Sequence, residues 1–213
     1  MALTLYFHPL SSYCQKVLIA LYENATPFEP LQIDLGDPAS RAKLTAHWPI
    51  GKFPVLTDGD HVVPESSIII EYLDAKYPGP TRFIPSDPDL ARQTRLKDRF
   101  YDCHIDDQLG RIATLRLRPE GHRDPRGMVE ARARIETALA MVEKDMADKT
   151  CAMGDTFTLA DCAAAPALFY ADMVAPFAAT HPNATAYLER LKARPSYARA
   201  LAEAAPYLHM VPK

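Results

Sequence analysis

The stretch WPIGKFPVLTDGD, residues 48–60, decides how the first third of this chain is read. Lys52–Phe53–Pro54–Val55–Leu56 holds a β-type run opening on proline. Proline has no N–H to donate to a central ladder, so Pro54 is predicted at a strand start or edge. The run closes on Thr57–Asp58–Gly59–Asp60, and Asp-Gly is a strong hairpin signal. An antiparallel strand over His61–Val63 follows, and Pro64–Glu65–Ser66–Ser67 opens a helix with Ile69, Tyr72 and Leu73 inward. Toward the N-terminus, the strand Leu3–Phe7 passes through His8–Pro9–Leu10 into a helix with the apolar stripe Cys14, Val17, Leu18 and Leu21. Ser12 with Gln15 fits a capping box, which makes Ser12 the N-cap and leaves Ser11 without a structural task. A strand over Phe28–Asp34 follows a crossover helix and is predicted parallel to the first. The order is β-α-β-α-β-β-α, an α/β unit.

Toward the C-terminus the β-type runs vanish after about residue 88. The join, residues 77–88, carries four prolines that block helix continuation. Two domains are therefore expected, an α/β domain over 1–79 and an all-α helical bundle over 88–213. The bundle opens with one long helix from Pro88 to about Arg118, stopped by Pro119. Asp98, Asp102 and Asp106 recur every four residues on it, which reads as a solvated stripe. Arginines between 111 and 134 alternate with acids and read as a mixed surface. In Thr158-x-x-Asp161, Thr158 is expected to cap the next helix and Asp161 to bond back to it.

The 213 residues suffice for a sizeable core, with 48% hydrophobic and 24% charged side chains. A formal charge of -3 argues against nucleic acid as a partner, since phosphate contacts need a basic surplus. No apolar run approaches the roughly 20 residues of a membrane span, and MALTLYFHPL lacks the pattern of a secretory leader. Four cysteines suit a reducing, cytoplasmic setting. Phosphate-loop, dinucleotide, zinc and G-x-S-x-G signatures are all missing, so no metal is expected.

FHPLSSYCQKVLIAL, WPIGKFPVLTDGD and PESSIIIEYLDAKYP, in that order and with Phe157–Asp161, resemble the cytosolic glutathione transferases over essentially the whole chain. The resemblance implies a thioredoxin-like N-terminal domain, glutathione as co-substrate, a small hydrophobic electrophile as second substrate, and a homodimer. It also implies a serine-type site with Ser11 as the donor to the glutathione thiolate. Phe53, ahead of a cis Pro54, would pair its backbone with the cysteinyl unit. Lys52 would meet the glycyl carboxylate, and Glu65 with Ser66 the γ-glutamyl end. A plain loop lysine at 52 and plain N-capping by Ser66 are the competing readings. Trp48 stands where many members have asparagine, and no match is found for the basic residues that often assist near position 40.

The chemistry is modest in cost. A thiol near pKa 8.5 is mostly protonated at neutral pH, and lowering it by about 2 units takes roughly 2.7 kcal/mol. One hydroxyl donating to the charged sulfur supplies about 1.5–3 kcal/mol, and a helix N-terminus adds a fraction. Ser11 has three rivals: Ser12, Tyr6 at the end of the first strand, and Cys14. Cys14 lies on the apolar stripe and reads as an inert core thiol. Leu10 and Tyr13, with Tyr101 and His104 from the long helix, are the residues expected to line the electrophile pocket. A glutathione-dependent isomerase or dehalogenase, and a non-catalytic binding module, remain as alternatives. SSYCQKV resembles the isomerase branch in its two serines but lacks the following cysteine and nearby arginines.

Overall fold

The computed structural model of the chain describes residues 3–212. Four strands form one sheet in the order β2-β1-β3-β4: β1 Leu3–Phe7, β2 Glu29–Gln32, β3 Val55–Asp58 and β4 His61–Pro64. β1 runs parallel to β2 and antiparallel to β3, and β3 pairs antiparallel with β4 through the Asp58–Gly59 turn. With α1 (Ser12–Glu23), α2 (Pro38–His47) and α3 (Ser66–Lys76), the element order is the one expected. β2 is shorter than predicted because β1 offers it partners only from Thr4 to Phe7. β3 begins at Val55 because Pro54 has no N–H for the ladder.

Strand alternation sorts the two faces of the sheet. Leu3, Leu5 and Phe7 are buried in the main core with α1 and α3. Tyr6 turns to the other face, onto the small cluster of Ile33, Leu44 and Val55 beside α2 and Trp48. Every residue of α1 from Cys14 to Leu21 is buried, because α1 lies between the sheet domain and helices of the second domain.

The second domain is helical: α4 (Pro88–Phe100), a π-helical turn (Tyr101–Asp106), α5 (Asp107–Leu117), α6 (Pro125–Asp145), α7 (Leu159–Val174), α8 (Pro182–Lys192) and α9 (Pro195–Ala204). α4, the π turn and α5 form the uninterrupted rod predicted over 88–118, but its register changes inside. A π turn bonds i to i+5, so side chains beyond it are rotated from where an α-helix would place them. Thr158 is the N-cap of α7, and Asp161 Oδ2 accepts its N–H at 2.8 Å, as expected. Asp161 Oδ1 also accepts the Ala152 N–H at 2.8 Å and the Tyr187 hydroxyl at 2.6 Å. Among the described residues no helix is long and apolar enough to cross a membrane.

The aspartate stripe is not solvated. Asp98 and Asp102 face the Lys16 ammonium at 2.5 and 2.8 Å, and all three side chains are buried where α1 meets the rod. Ser67, on α3, joins them: its hydroxyl donates to Asp98 at 2.7 Å and accepts from Lys16 at 2.9 Å. Although burial works against the charge on Lys16, the carboxylates of Asp102 and Asp98 hold its pKa above the ordinary lysine value. Period four placed the acids on one face correctly; the lysine opposite turned that face inward.

Candidate functional site

A cleft of about 320 Å³ opens where α1 begins, against the end of the π turn, α5 and α7. Leu10, Ser11, Ser12, Tyr13, Asp106 and Tyr170 are among its walls, which are mainly apolar. The loop before α1 is fastened from behind. Gln15 Nε2 donates to the Pro9 carbonyl at 2.9 Å and to the Tyr170 hydroxyl at 3.0 Å. The Tyr170 hydroxyl in turn donates to the Leu10 carbonyl at 2.6 Å. Gln15 therefore anchors the loop and makes no capping box with Ser12.

The capping task expected of Ser12 falls to Ser11. Ser11 is the N-cap of α1: its N–H donates to the His8 carbonyl at 3.0 Å, and its Oγ accepts the Cys14 N–H at 3.3 Å. Ser12 is the first helical residue, and its hydroxyl donates to Asp106 Oδ2 at 2.7 Å. A cap uses an oxygen lone pair and leaves the hydroxyl proton unclaimed. Among the described residues no oxygen or nitrogen accepts from the Ser11 hydroxyl at the cleft wall, while the proton of Ser12 is engaged.

Tyr6 is turned away from this cleft, with its hydroxyl 2.9 Å from His47 Nε2 on the α2 side. Cys14 is fully buried, and burial pushes its thiol up to about 12. His8 is held below the ordinary histidine value by burial, and its Nδ1 accepts the Leu10 N–H at 3.2 Å.

A second group of expected residues surrounds the start of α3. The Phe53–Pro54 bond is cis, and the β3 ladder begins only at Val55, so the Phe53 backbone stands beyond the end of the sheet. Lys52 is exposed and follows Gly51, whose φ of 71° suits the residue without a Cβ. Glu65 occupies the N-cap position of α3, so Ser66 is a buried first-turn residue and not the cap. Glu65 makes no side-chain cap, which leaves the first N–H groups of α3 without one. It also holds φ 70° and ψ 120°, a left-handed conformation costing a non-glycine residue about 1–3 kcal/mol. Strain of this kind concentrates where a side chain or backbone group must be presented.

Leu10 and Tyr13 reach the cleft, but Tyr101 and His104 do not. Those two line a separate cavity of about 920 Å³ between α4, the π turn and α6, with Phe100 and Met141. Tyr101 is 2% exposed, with its ring edge-on to Phe100. Both lie on the side of the rod that faces α6, away from the head of α1. Asp106, which does reach the cleft, and the two carboxylates facing Lys16 were read from sequence only as a solvated stripe, and Lys16 itself was not singled out. The available signal was a lysine inside an apolar helix together with a period-four run of acids.

Comparison with known proteins bears on all of this. The model of the glutathione S-transferase N-terminal domain matches residues 5–81, and that of the C-terminal domain matches residues 105–195. Glutathione S-transferase 3 of Zea mays is 31% identical over 208 residues, covering 94% of this chain and 93% of the relative. A stringent starvation protein A homolog of Haemophilus influenzae is 29% identical over 206 residues, covering 96% and 92%. A crystal structure of a glutathione S-transferase from Methylobacterium radiotolerans, in complex with glutathione sulfonate, superposes with a TM-score of 0.84. It is 33% identical and covers 94% of each chain. With the thioredoxin-like sheet, the helical domain and a cleft at the head of α1 in place, this chain belongs to the glutathione S-transferase family.

Proposed function

We propose that this chain is a glutathione transferase that activates the glutathione thiol with the Ser11 hydroxyl for attack on a small hydrophobic electrophile. The observation carrying this reading is the Ser11 hydroxyl, without an oxygen or nitrogen acceptor among the described residues, at the wall of an apolar cleft and at the positive end of α1. A donor to a thiolate contributes about 1.5–3 kcal/mol and the helix end up to about 1 kcal/mol, which covers the roughly 2.7 kcal/mol for a two-unit shift. Glutathione lies between the starts of α1 and α3 in this reading. Ser66 and the N–H groups of α3 take the γ-glutamyl carboxylate, Glu65 its ammonium, the Phe53 backbone the cysteinyl unit, and Lys52 the glycyl carboxylate. Leu10 and Tyr13 border the electrophile, and the working form is a cytoplasmic homodimer acting in detoxification.

A second reading, a binding protein without turnover, is kept because relatives not named as transferases, the stringent starvation protein A homologs, match this chain at 29–30% identity. One experiment separates the two: ultraviolet titration of the thiolate of glutathione bound to the wild type and to Ser11→Ala. A depressed thiol pKa that returns toward 8.5 in the variant supports the transferase. An equally depressed pKa in both removes Ser11 from the role. Binding with no shift, or no binding, overturns the transferase reading.

A further inference from the structure

We propose that Asp106 is the proton donor of the cleft, serving electrophiles whose attack leaves negative charge on oxygen, the α,β-unsaturated carbonyls foremost. This rests on the transferase reading above and adds to it a catalytic acid.

Asp106 lines the same cleft as Ser11 and is 7% exposed. Its Oδ2 accepts from Ser12, and no described residue donates to its Oδ1. Nearby carboxyls are all engaged: Asp98 and Asp102 by Lys16, Asp107 by the Tyr13 hydroxyl at 3.0 Å. The charged and titratable groups facing Asp106 are Lys16 and Tyr13 on α1, Asp102 and Asp107 on its own rod, Tyr170 on α7 and Tyr197 on α9. Burial first, then the charges of Asp102 and Asp107, push the Asp106 carboxyl up to about 7, against the opposing effects of Ser12 and Lys16. At neutral pH it therefore carries a proton much of the time, in an apolar cleft. The competing phenol, Tyr13, gives its proton to Asp107 and is held far above its usual range by burial.

A buried neutral acid assists only a reaction that creates a base beside it. Attack on a haloarene expels halide and needs no proton. Attack on an enone forms a C–S bond at the β-carbon and moves the π electrons onto oxygen. The Asp106 proton passes to that enolate oxygen, the enol tautomerises to the ketone, and Asp106 is left as carboxylate. It is reprotonated from water, which had received the proton released when the thiol ionised. The same proton removes a negative charge that would otherwise oppose the thiolate.

The test compares kcat for two probes, 4-phenyl-3-buten-2-one and 1-chloro-2,4-dinitrobenzene, each with glutathione. Thiolate formation affects both, so the ratio of the two rates isolates the acid. In Asp106→Asn the enone-to-haloarene ratio is expected to fall about 100-fold, within the usual range for a general acid. In the wild type the ratio is expected to fall about tenfold per pH unit above neutral, a measurement that needs no variant. A ratio within threefold of wild type in the variant, or flat with pH, overturns the proposal while haloarene turnover leaves the transferase reading standing. A wild type inert toward both probes overturns both.

Discussion

Ser12 Oγ donates to Asp106 Oδ2 at 2.7 Å, across 94 positions of sequence. This bond ties the head of α1, in the sheet domain, to the rod of the helical domain beside Ser11. It also separates two neighbouring hydroxyls that are chemically identical. One points its proton at a carboxyl, and the other caps the helix with its oxygen.

The first prediction uses that separation. Ser12→Ala removes one partly buried hydrogen bond to an acid and is expected to cost about 1–2 kcal/mol of stability. It leaves the Ser11 hydroxyl and its cap in place, so under the proposed function the bound glutathione thiol is expected to keep a depressed pKa. Urea unfolding reads the first quantity, and thiolate absorbance the second. A thiol pKa that returns to the free value in Ser12→Ala transfers the donor role to Ser12.

Lys16 supplies the second. Among the described residues its ammonium is the one cation in ion-pair contact with Asp98 and Asp102. Lys16→Met leaves two buried carboxylates facing each other, and breaking such a group from one side costs about 3–5 kcal/mol. Adding Asp98→Asn and Asp102→Asn is expected to recover most of that loss, because the uncompensated charges go with it. Urea midpoints for the single and triple variants decide the matter. A loss under about 1 kcal/mol in Lys16→Met shows that water or rearrangement already screens the pair.

Much of this arrangement was legible in the chain itself. The β-type run Leu3–Phe7, the proline at 54 and the Asp58–Gly59 turn suffice for the order of elements along the chain and for the hairpin, because each is a local constraint on the backbone. Three ordered motifs led to both helix starts. The start of α1 was misplaced by one residue, since it is set by Gln15 and Tyr170 gripping Pro9 and Leu10, and Tyr170 lies on a distant helix. The burial of Asp98 and Asp102 depended on Lys16 arriving opposite them, which no periodicity encodes. Tyr101 and His104 were expected at the cleft only because they lie on the long helix, and the face of the rod that carries them turns toward α6 instead.

A third prediction concerns pH. The folded chain holds a proton on Asp106 that the unfolded chain, with an ordinary carboxyl at 3.8, has already released across roughly pH 4 to 7. With fewer protons bound in the unfolded state, this group's contribution to stability falls as pH rises through that window. A rise from 3.8 to about 7 corresponds to at most roughly 4 kcal/mol. Asp106→Asn cannot ionise and escapes this loss. Unfolding free energies at pH 5 and pH 8 are expected to diverge by a few kcal/mol between the two proteins. Parallel behaviour means that Asp106 titrates like a solvated carboxyl.

Asp161 carries the fourth. It satisfies donors from Thr158, Ala152 and Tyr187 inside the helical core. Asp161→Ala leaves these buried groups without an acceptor, and each orphaned donor costs about 1–3 kcal/mol. The expected loss is therefore larger than the roughly 1 kcal/mol of an ordinary cap. Thermal unfolding would show an ordinary cap instead if water replaces the carboxylate.

The last prediction sets stability against binding at Glu65. Its φ of 70° is strained for a residue with a Cβ, yet its side chain is exposed and caps nothing in the fold. Glycine reaches that φ without the steric penalty, although it gives the unfolded chain more freedom. Glu65→Gly is expected to be neutral or stabilising by up to about 1 kcal/mol, because relief of the 1–3 kcal/mol of strain exceeds the added entropy. The same change removes the proposed partner of the γ-glutamyl ammonium, and glutathione binding is expected to weaken about tenfold or more, equivalent to about 1.4 kcal/mol. Calorimetric titration with glutathione and urea unfolding of the one variant give both quantities. Weaker binding without lost stability ties the strained backbone to ligand presentation. A destabilised variant that binds glutathione normally assigns Glu65 to the fold and removes it from the site.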